Sequence, residues 1–322
     1  MLSFINPFRW HKLSSIWGFL ADLIRRINLF QYQLSKTAKP TLDEDVESGG
    51  TEAQFQHNAK STKESSPSVA ERPTIEQSGN EIILHLKQPP KCLSIGFSGI
   101  FCEVDEDIIV KHPKVIPNND PYNKMFRDMF INERLIYERL GYHKGIIPYL
   151  GVHDQSTGAI RLAYAKQGDL ERYIQSHDEP SEAIRATWIQ SLVETFWYIY
   201  SRKILHQDVK PNNILVENGG LKVVDFANAA MHDLDADMEE ICAKDPLLRV
   251  DILGLGCIIY SIAAWRIFYY DYFEHDRWPE PGDLPATSDL LCEDIINKCW
   301  RDSYGTIKSP FEDVNVLSGT ER

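Results

Sequence analysis

The spacing of apolar residues changes several times along the chain and divides it into three parts. Between Leu13 and Phe30 apolar residues recur every three or four positions, which predicts an amphipathic helix. Residues 40–80 carry only isolated apolar residues among Ser, Thr, Glu, Gln, Gly and Pro, and such a segment cannot bury enough surface to fold. We therefore predict a basic amphipathic segment over 1–39, a disordered linker over 40–80 and a folded domain over 81–318.

Within the folded part, strand-like patterns come first and helical patterns follow. Short apolar runs predict strands at 108–111, 146–152 and 160–164, and a helical stripe is predicted at 123–140. Later helices are predicted at 182–202 and in 289–315. Ile252 to Trp265 is apolar throughout and too short to span a bilayer, so it indicates a buried core helix.

Composition and charge narrow the possible functions. The chain has 322 residues, of which 43% are hydrophobic, and this content suffices for a packed core. The net charge is -13, and residues beyond 40 hold 28 basic and 46 acidic side chains, which argues against nucleic-acid binding. Six scattered cysteines without CxxC pairs argue against zinc and indicate free thiols in a reducing cell interior.

The densest chemistry lies in residues 206–215, followed by Asp225 after a short apolar strand. Asp208 can accept the proton of an attacking hydroxyl, and Lys210 can neutralise charge on a phosphoryl group in transfer. Asn213 and Asp225 offer oxygen atoms suited to magnesium. Phosphoryl transfer needs mainly positioning and electrostatic stabilisation, which such a loop supplies.

The pattern His-x-Asp-x-Lys-x-x-Asn, then a strand and Asp225-Phe226-Ala227, resembles the catalytic loop and metal-binding triplet of the protein kinases. The lysine two residues after the aspartate is similar to the serine/threonine type. The resemblance implies an α+β, two-lobed fold with a small, mainly β N-lobe over about 81–164 that holds one helix. A larger, mainly α C-lobe would cover about 168–318, with ATP and magnesium as cofactors.

The resemblance also implies a role for each matching residue. Asp208 would be the catalytic base and Lys210 the phosphate neutraliser, while Asn213 and Asp225 would bind magnesium. The residues that would bind or position ATP are Gly96 and Gly99 in the glycine-rich loop, Lys111 on a strand, Glu133 as its ion-pair partner on the first helix, and Leu215 under the adenine. Asp251 would brace the catalytic loop from the apolar helix.

Several positions depart from the family pattern. The glycine-rich loop has two glycines where the family shows three, and Ile109 stands where a small alanine is usual. Gln207 replaces the arginine that holds an activating phosphate in many kinases, and residues 226–250 contain no Ser, Thr or Tyr. These departures predict a protein that is held in one state without phosphorylation of this segment.

Three functions remain open at this point. The first is an active serine/threonine-type protein kinase with an unnamed protein substrate, the second a pseudokinase that binds partners, and the third a small-molecule phosphotransferase. The expected location is intracellular, most simply cytoplasmic. Residues 1–34 leave a mitochondrial presequence, a membrane-surface anchor and a helix docked on its own domain as alternatives.

Overall fold

The structure is a computed structural model that describes residues 75–78, 81–84, 91–96 and 99–319. By its contacts the chain separates into two units, Met1–Lys87 and Gln88–Arg322. The amphipathic segment predicted over 1–39 lies outside the described residues, and so does most of the linker predicted over 40–80.

A short antiparallel hairpin lies in the first unit. Its strands are β1 (Ile75–Ser78) and β2 (Glu81–Leu84), with Ile75 opposite Leu84. This hairpin begins within the last residues of the segment predicted as a linker and ends within the predicted domain. Residues 40–80 alone do not predict this pairing, because the partner strand β2 begins after residue 80.

One five-stranded antiparallel sheet forms most of the N-lobe, in the order β3-β4-β5-β7-β6. Its strands are β3 (Cys92–Ile95), β4 (Gly99–Asp105), β5 (Ile108–Pro113), β6 (Tyr149–Asp154) and β7 (Ala159–Ala163). The strand predicted from residue 146 begins at Tyr149 instead. Pro148 has no N–H to donate to a ladder, so regular pairing begins after it.

One long helix, α1 (Asp120–Leu140), accompanies this sheet. It begins three residues before the predicted start because the Asn119 side chain caps it, accepting from the N–H of Tyr122 at 3.4 Å. It ends before Gly141, whose φ of 63° is in the left-handed region. The apolar face is buried against the N-lobe core through Phe126, Phe130, Ile136, Tyr137 and Leu140.

The C-lobe is mainly helical. Its helices are α2 (Leu170–Ser176), α3 (Glu182–Ser201), α4 (Met238–Lys244), α5 (Val250–Ala263), α6 (Tyr272–His275), α7 (Glu293–Trp300) and α8 (Lys308–Gly319). Two short antiparallel pairs complete it: β8 (Ile204–Leu205) with β11 (Ala230–Met231), and β9 (Ile214–Glu217) with β10 (Gly220–Val223). The predicted α+β fold with a small β-rich lobe and a larger helical lobe is confirmed.

Helix α5 is the centre of the C-lobe core, and almost every residue in it is buried. This explains why its sequence is apolar on all faces. Among the described residues no single helix has the length and hydrophobicity to cross a bilayer. One bent pair, Met238–Lys244 with Leu247–Ala263, passes that test by length and composition only.

Candidate active site

The catalytic-loop residues predicted from the sequence lie together between β8 and β9. Lys210 Nζ lies 2.9 Å from Asp208 Oδ1. Asn213 donates from Nδ2 to the Asp208 main-chain carbonyl at 2.8 Å and to Asp208 Oδ2 at 2.9 Å. The Asp208 carboxylate is thereby fixed from two sides, one oxygen held by an ammonium and the other by an amide.

Asp251 holds this loop from behind, as the sequence predicts. Its carboxylate accepts hydrogen bonds from the backbone N–H of His206 at 2.5 Å and of Gln207 at 2.6 Å. Gln207 adopts a left-handed φ of 63°. A non-glycine residue needs support in that conformation, and the buried Asp251 carboxylate supplies it through two charge-assisted bonds.

Strands β9 and β10 form a hairpin that brings Asp225 to the same region. A main-chain hydrogen bond ties the end of this hairpin to the catalytic loop, because the Val224 N–H donates to the carbonyl of Asn213 at 3.0 Å. Asp225 itself has a φ of 64°, whereas Ala227 is not among the residues with positive φ. The left-handed turn of this triplet thus falls on the aspartate, which can tolerate it better than a residue without a polar side chain.

Lys111 joins the two lobes electrostatically. Its Nζ lies 3.0 Å from Glu133 Oε1, 2.7 Å from Glu133 Oε2 and 2.7 Å from Asp225 Oδ1. Lys111 is 1% exposed and Glu133 is fully buried. An ammonium has three N–H donors, so these three contacts use all of them.

The pKa values of Lys111, Glu133 and Asp225 shift differently because two carboxylates share one ammonium. Burial opposes the charge on Lys111, but Asp225 and Glu133 outweigh it and raise the lysine pKa. Burial raises the pKa of Glu133 to about 7 against the effect of Lys111. Burial also disfavours the charge on Asp225, yet Lys111 dominates and lowers that pKa. Glu133 is therefore the member of this trio that takes a proton most readily near neutral pH.

Two aromatic rings that sequence analysis missed enclose the Lys111 ammonium. Phe101 and Phe130 each have a ring centroid 5.4 Å from Nζ. Phe101 is opposite Lys111 in the β4–β5 register, and Phe130 lies on α1 one turn before Glu133. Cation–π attraction at this distance favours the charged lysine in a site with little water. Only the sheet register reveals Phe101, because 101 and 111 are far apart in the sequence.

The two predicted loop glycines have different surroundings. A Cβ atom added to Gly99 would lie 2.9 Å from the carbonyl oxygen of His112 and 2.9 Å from Phe130 Cζ. A Cβ on Gly96 would lie 3.3 Å from Phe101 Cε2, a milder conflict. Glycine at position 99 is therefore required for close packing within the lobe. This requirement is separate from any role in phosphate binding.

Leu215 lies on β9 beside the start of α2. It forms a bridge with Asp169, the residue that caps α2 by accepting from the N–H of Arg172 at 2.9 Å. Leu215 is partly buried and packs against the main core, while Ile109 on β5 is 8% exposed. Both positions are compatible with the walls of an adenine pocket, and Ile109 takes more room there than an alanine would.

A column of four aromatic rings in contact connects the N-lobe with the catalytic loop. Tyr149 stacks on Tyr137 at 5.5 Å, Tyr137 meets Phe226 edge-on at 5.2 Å, and Phe226 lies 4.9 Å from His206. Phe226 is completely buried. Tyr137 follows Glu133 by one helical turn, so the same face of α1 positions the ion pair and the column.

Side-chain hydrogen bonds hold the segment after Asp225. Asn132 Nδ2 donates to the carbonyl of Ala229 at 2.8 Å, and Lys203 Nζ donates to that of Ala236 at 2.7 Å. Arg139 also donates to the carbonyl of His232. These contacts occupy positions along the segment where the sequence offers no hydroxyl group for phosphorylation.

The donor set fits a magnesium ion. Asp225 uses Oδ1 for Lys111 and Asn213 uses its amide nitrogen for Asp208, which leaves one oxygen on each side chain without a hydrogen bond among the described residues. Magnesium commonly takes one or two protein oxygens together with phosphate and water. No cluster of three or more His, Cys, Asp or Glu side chains suited to a metal occurs in the part of the chain that the structure describes.

A two-lobed fold in which a buried lysine–glutamate pair meets a loop bearing Asp, Lys and Asn defines the class of the protein kinases. Residues 105–277 match the family model of the protein kinase domain. This match spans more than half of the 322 residues, and the chain belongs to the protein kinase family.

Curated relatives are themselves kinases. The chain is 26% identical over 218 residues to 3-phosphoinositide-dependent protein kinase 1 of Rattus norvegicus, covering 56% of this chain and 38% of that protein. It is 37% identical over 138 residues to Aurora kinase A-A of Xenopus laevis, covering 38% of this chain and 34% of the relative. Against the MAP kinase kinase kinase wis4 of Schizosaccharomyces pombe it is 29% identical over 248 residues, covering 64% and 17% respectively. The matched part thus spans well under half of each relative.

Proposed function

We propose that this chain is an ATP-dependent protein kinase of the serine/threonine type, with magnesium as its metal. The observation that carries the proposal is the arrangement around Asp208, whose carboxylate is held by Lys210 at 2.9 Å and by Asn213 at 2.9 Å. A base held in this way is positioned before a substrate arrives, which is the main requirement of phosphoryl transfer.

Each side chain has one task in this proposal. Asp208 accepts the proton of the substrate hydroxyl, and Lys210 neutralises negative charge that develops nearby. Burial disfavours the charge on Lys210, but the nearby Asp208 carboxylate outweighs this effect and raises the lysine pKa. Lys210 therefore stays protonated at neutral pH. Lys111 and Leu215 bind the nucleotide, Glu133 orients Lys111, and Asn213 and Asp225 hold magnesium. When bound, MgATP supplies the phosphoryl group that is transferred.

The substrate type rests on the lysine at position 210 and on relatives that are named as protein kinases. The direct test is transfer from labelled MgATP to peptide libraries in which Ser, Thr or Tyr is the only hydroxyl residue. The proposal expects label on the Ser and Thr libraries and not on the Tyr library. Label confined to the Tyr library, or to small molecules alone, would contradict it.

A second candidate is a pseudokinase that binds partners without transfer, and the enclosure of Lys111 favours it. All three Lys111 donors contact the protein's own carboxylates, and the ammonium lies between two rings. A phosphate must displace at least one of these carboxylate contacts to reach the ammonium. MgATP affinity measured by calorimetry together with turnover separates the two candidates, because a pseudokinase gives no label on any library.

We also propose that residues 1–34 determine where the protein resides, since their apolar stripe and six basic residues in the first 40 suit an anionic membrane surface or an organelle import receptor. Deleting residues 1–34 and imaging the protein in cells tests this. An unchanged distribution would favour a cytoplasmic protein whose N-terminal helix docks on its own domain.

A further inference from the structure

Two cysteines face each other across the hairpin that carries the glycine-rich loop. Cys92 on β3 is directly opposite Cys102 on β4. The backbone N–H of Glu103 donates to the carbonyl of Lys91 at 3.0 Å, and these two residues flank the cysteine pair. That pattern marks a non-hydrogen-bonded position of an antiparallel ladder, where opposing side chains come closest.

The spacing at such a position suits a disulfide. Opposed Cα atoms at non-hydrogen-bonded positions are about 4.5 Å apart, within the range of about 4.4–6.8 Å that disulfides span. Both thiols are free in this structure. The Cys92 thiol makes one long contact, 3.7 Å to the carbonyl of Ser94, so little is lost when the sulfur turns toward Cys102.

The two sulfurs differ in access. Cys92 is partly exposed, whereas Cys102 is 5% exposed and burial raises its thiol pKa. A small reagent in solution therefore meets Cys92 first. Cys102 is then placed to attack the sulfur of a modified Cys92, since it lies directly across the ladder.

We propose that Cys92 and Cys102 form a reversible disulfide that fastens β3 to β4 and restrains the hairpin on which Gly96 and Gly99 lie. The oxidant is a small-molecule disulfide such as oxidised glutathione. The Cys92 thiolate attacks it, forms a mixed disulfide and releases one thiol. The Cys102 thiolate then attacks the Cys92 sulfur and releases the second thiol. Two protein thiols lose two electrons and two protons, and one small disulfide becomes two thiols.

The position of β3 in the sheet determines how this disulfide acts on the site. Among the strands in the described part of the chain, β3 pairs with β4 alone and lies at the edge of the sheet, and Leu93 interrupts their register as a bulge. Cys102 is opposite Val110, whereas the adjacent residue Phe101 is opposite Lys111. Because neighbouring strand residues point to opposite faces, the disulfide forms on the face away from Lys111 and acts through the backbone without blocking the site.

The expected effect of the disulfide on nucleotide release rests on the function proposed above. Cys92 and Cys102 lie on the two strands of the hairpin that carries Gly96 and Gly99, so the bond limits the separation of these strands. We expect oxidation to slow nucleotide release roughly threefold, because a restrained hairpin moves less readily away from bound nucleotide. The existence of the bond itself does not depend on nucleotide binding, and the two parts are therefore tested separately.

The test treats the full chain with oxidised glutathione, blocks free thiols and digests with trypsin. Both cysteines fall in one tryptic peptide, because no Lys or Arg lies between Cys92 and Lys111. We expect that peptide to be two hydrogens lighter and unreactive to the blocking reagent, and to recover after dithiothreitol. Chymotryptic cleavage at Phe97 should leave two peptides joined. A glutathione adduct that persists on Cys92, or two blocked thiols, would overturn the proposal.

Variants at other cysteines provide a control. Cys102 itself is left unchanged, because substituting a buried residue could disturb folding. C92S should abolish the bond, and C292S, which removes another partly exposed cysteine, should leave it intact. Release of a fluorescent ATP analogue is then compared between oxidised and reduced wild type. A mapped disulfide with unchanged release would refute the restraint of the hairpin. A mapped disulfide in a protein that binds no nucleotide would refute the proposed function and leave the bond standing.

Discussion

Lys111 and Glu133 form a fully buried ion pair in which Nζ contacts both carboxylate oxygens, at 2.7 and 3.0 Å. A buried pair depends on both members, because removing Lys111 leaves the Glu133 carboxylate without its cation and removing Glu133 leaves Lys111 with the Asp225 carboxylate alone. The ion pair also fixes α1 against β5 and thereby the aromatic column that leads to the catalytic loop.

We expect Lys111→Ala and Glu133→Ala each to weaken MgATP binding at least tenfold, and the double variant to lose less than the sum, with a coupling energy of about 1–3 kcal/mol. Isothermal titration of the four proteins measures this. Arg134→Ala, which breaks a half-exposed pair with Glu138 on the same helix, is the matched control and should bind like the wild type. Additive losses in the cycle would contradict the pairing.

Glu133 should make stability depend on pH between about 4.5 and 7. Its pKa is raised from 4.5 to about 7 by burial, so over this window the folded state holds a proton that the unfolded state has lost. This group's contribution to stability is present below pH 4.5 and falls as pH rises through 7. Urea unfolding of wild type and Glu133→Gln should show the extra decline in wild type only. Parallel pH curves would refute the assignment.

Asn132 should hold the segment after Asp225 in place. Removing its bond to Ala229 by Asn132→Ala costs about 1 kcal/mol, which speeds local amide exchange over residues 229–236 roughly fivefold. Hydrogen exchange with mass spectrometry measures it. Lys124→Ala, which removes an exposed pair with Asp128 on the same helix, should leave the segment unchanged. Equal protection in Asn132→Ala would show that the tether has no effect.

Gly254 lets α5 approach the catalytic loop. A Cβ there would lie 2.3 Å from the carbonyl oxygen of Val209, so Gly254→Ala should destabilise by about 1–3 kcal/mol despite the helix propensity of alanine. Gly282 has nothing within 4 Å and no positive φ, and Gly282→Ala should be neutral or stabilise by up to about 1 kcal/mol. Thermal unfolding compares the two. Similar melting temperatures would contradict the close approach.

Local sequence patterns predicted the two-lobed fold and the polar side chains that the structure brings together in the candidate site. Glu133 was predicted as a buried partner because an acid within an apolar helical stripe needs a counter-charge. Phe101, Tyr149 and Asn132 were missed, because their roles depend on sheet register and on contacts between segments far apart in the chain. The strand at Ile75–Ser78 was missed for a different reason, because its pairing partner, Glu81–Leu84, lies just beyond the segment predicted as a linker.

The central claim is that Asp208 is the base of an active phosphotransfer site, and Asp208→Asn tests it most directly. An amide keeps the contact with Asn213 but cannot accept the proton, so melting temperature and MgATP affinity should stay near wild type while transfer falls at least a hundredfold. The measurement is phosphate transfer from labelled MgATP to a serine- and threonine-containing peptide library, with wild type and variant side by side. Label with wild type alone is the predicted result. Equal transfer by both proteins, or none by a wild type that binds MgATP, would contradict it.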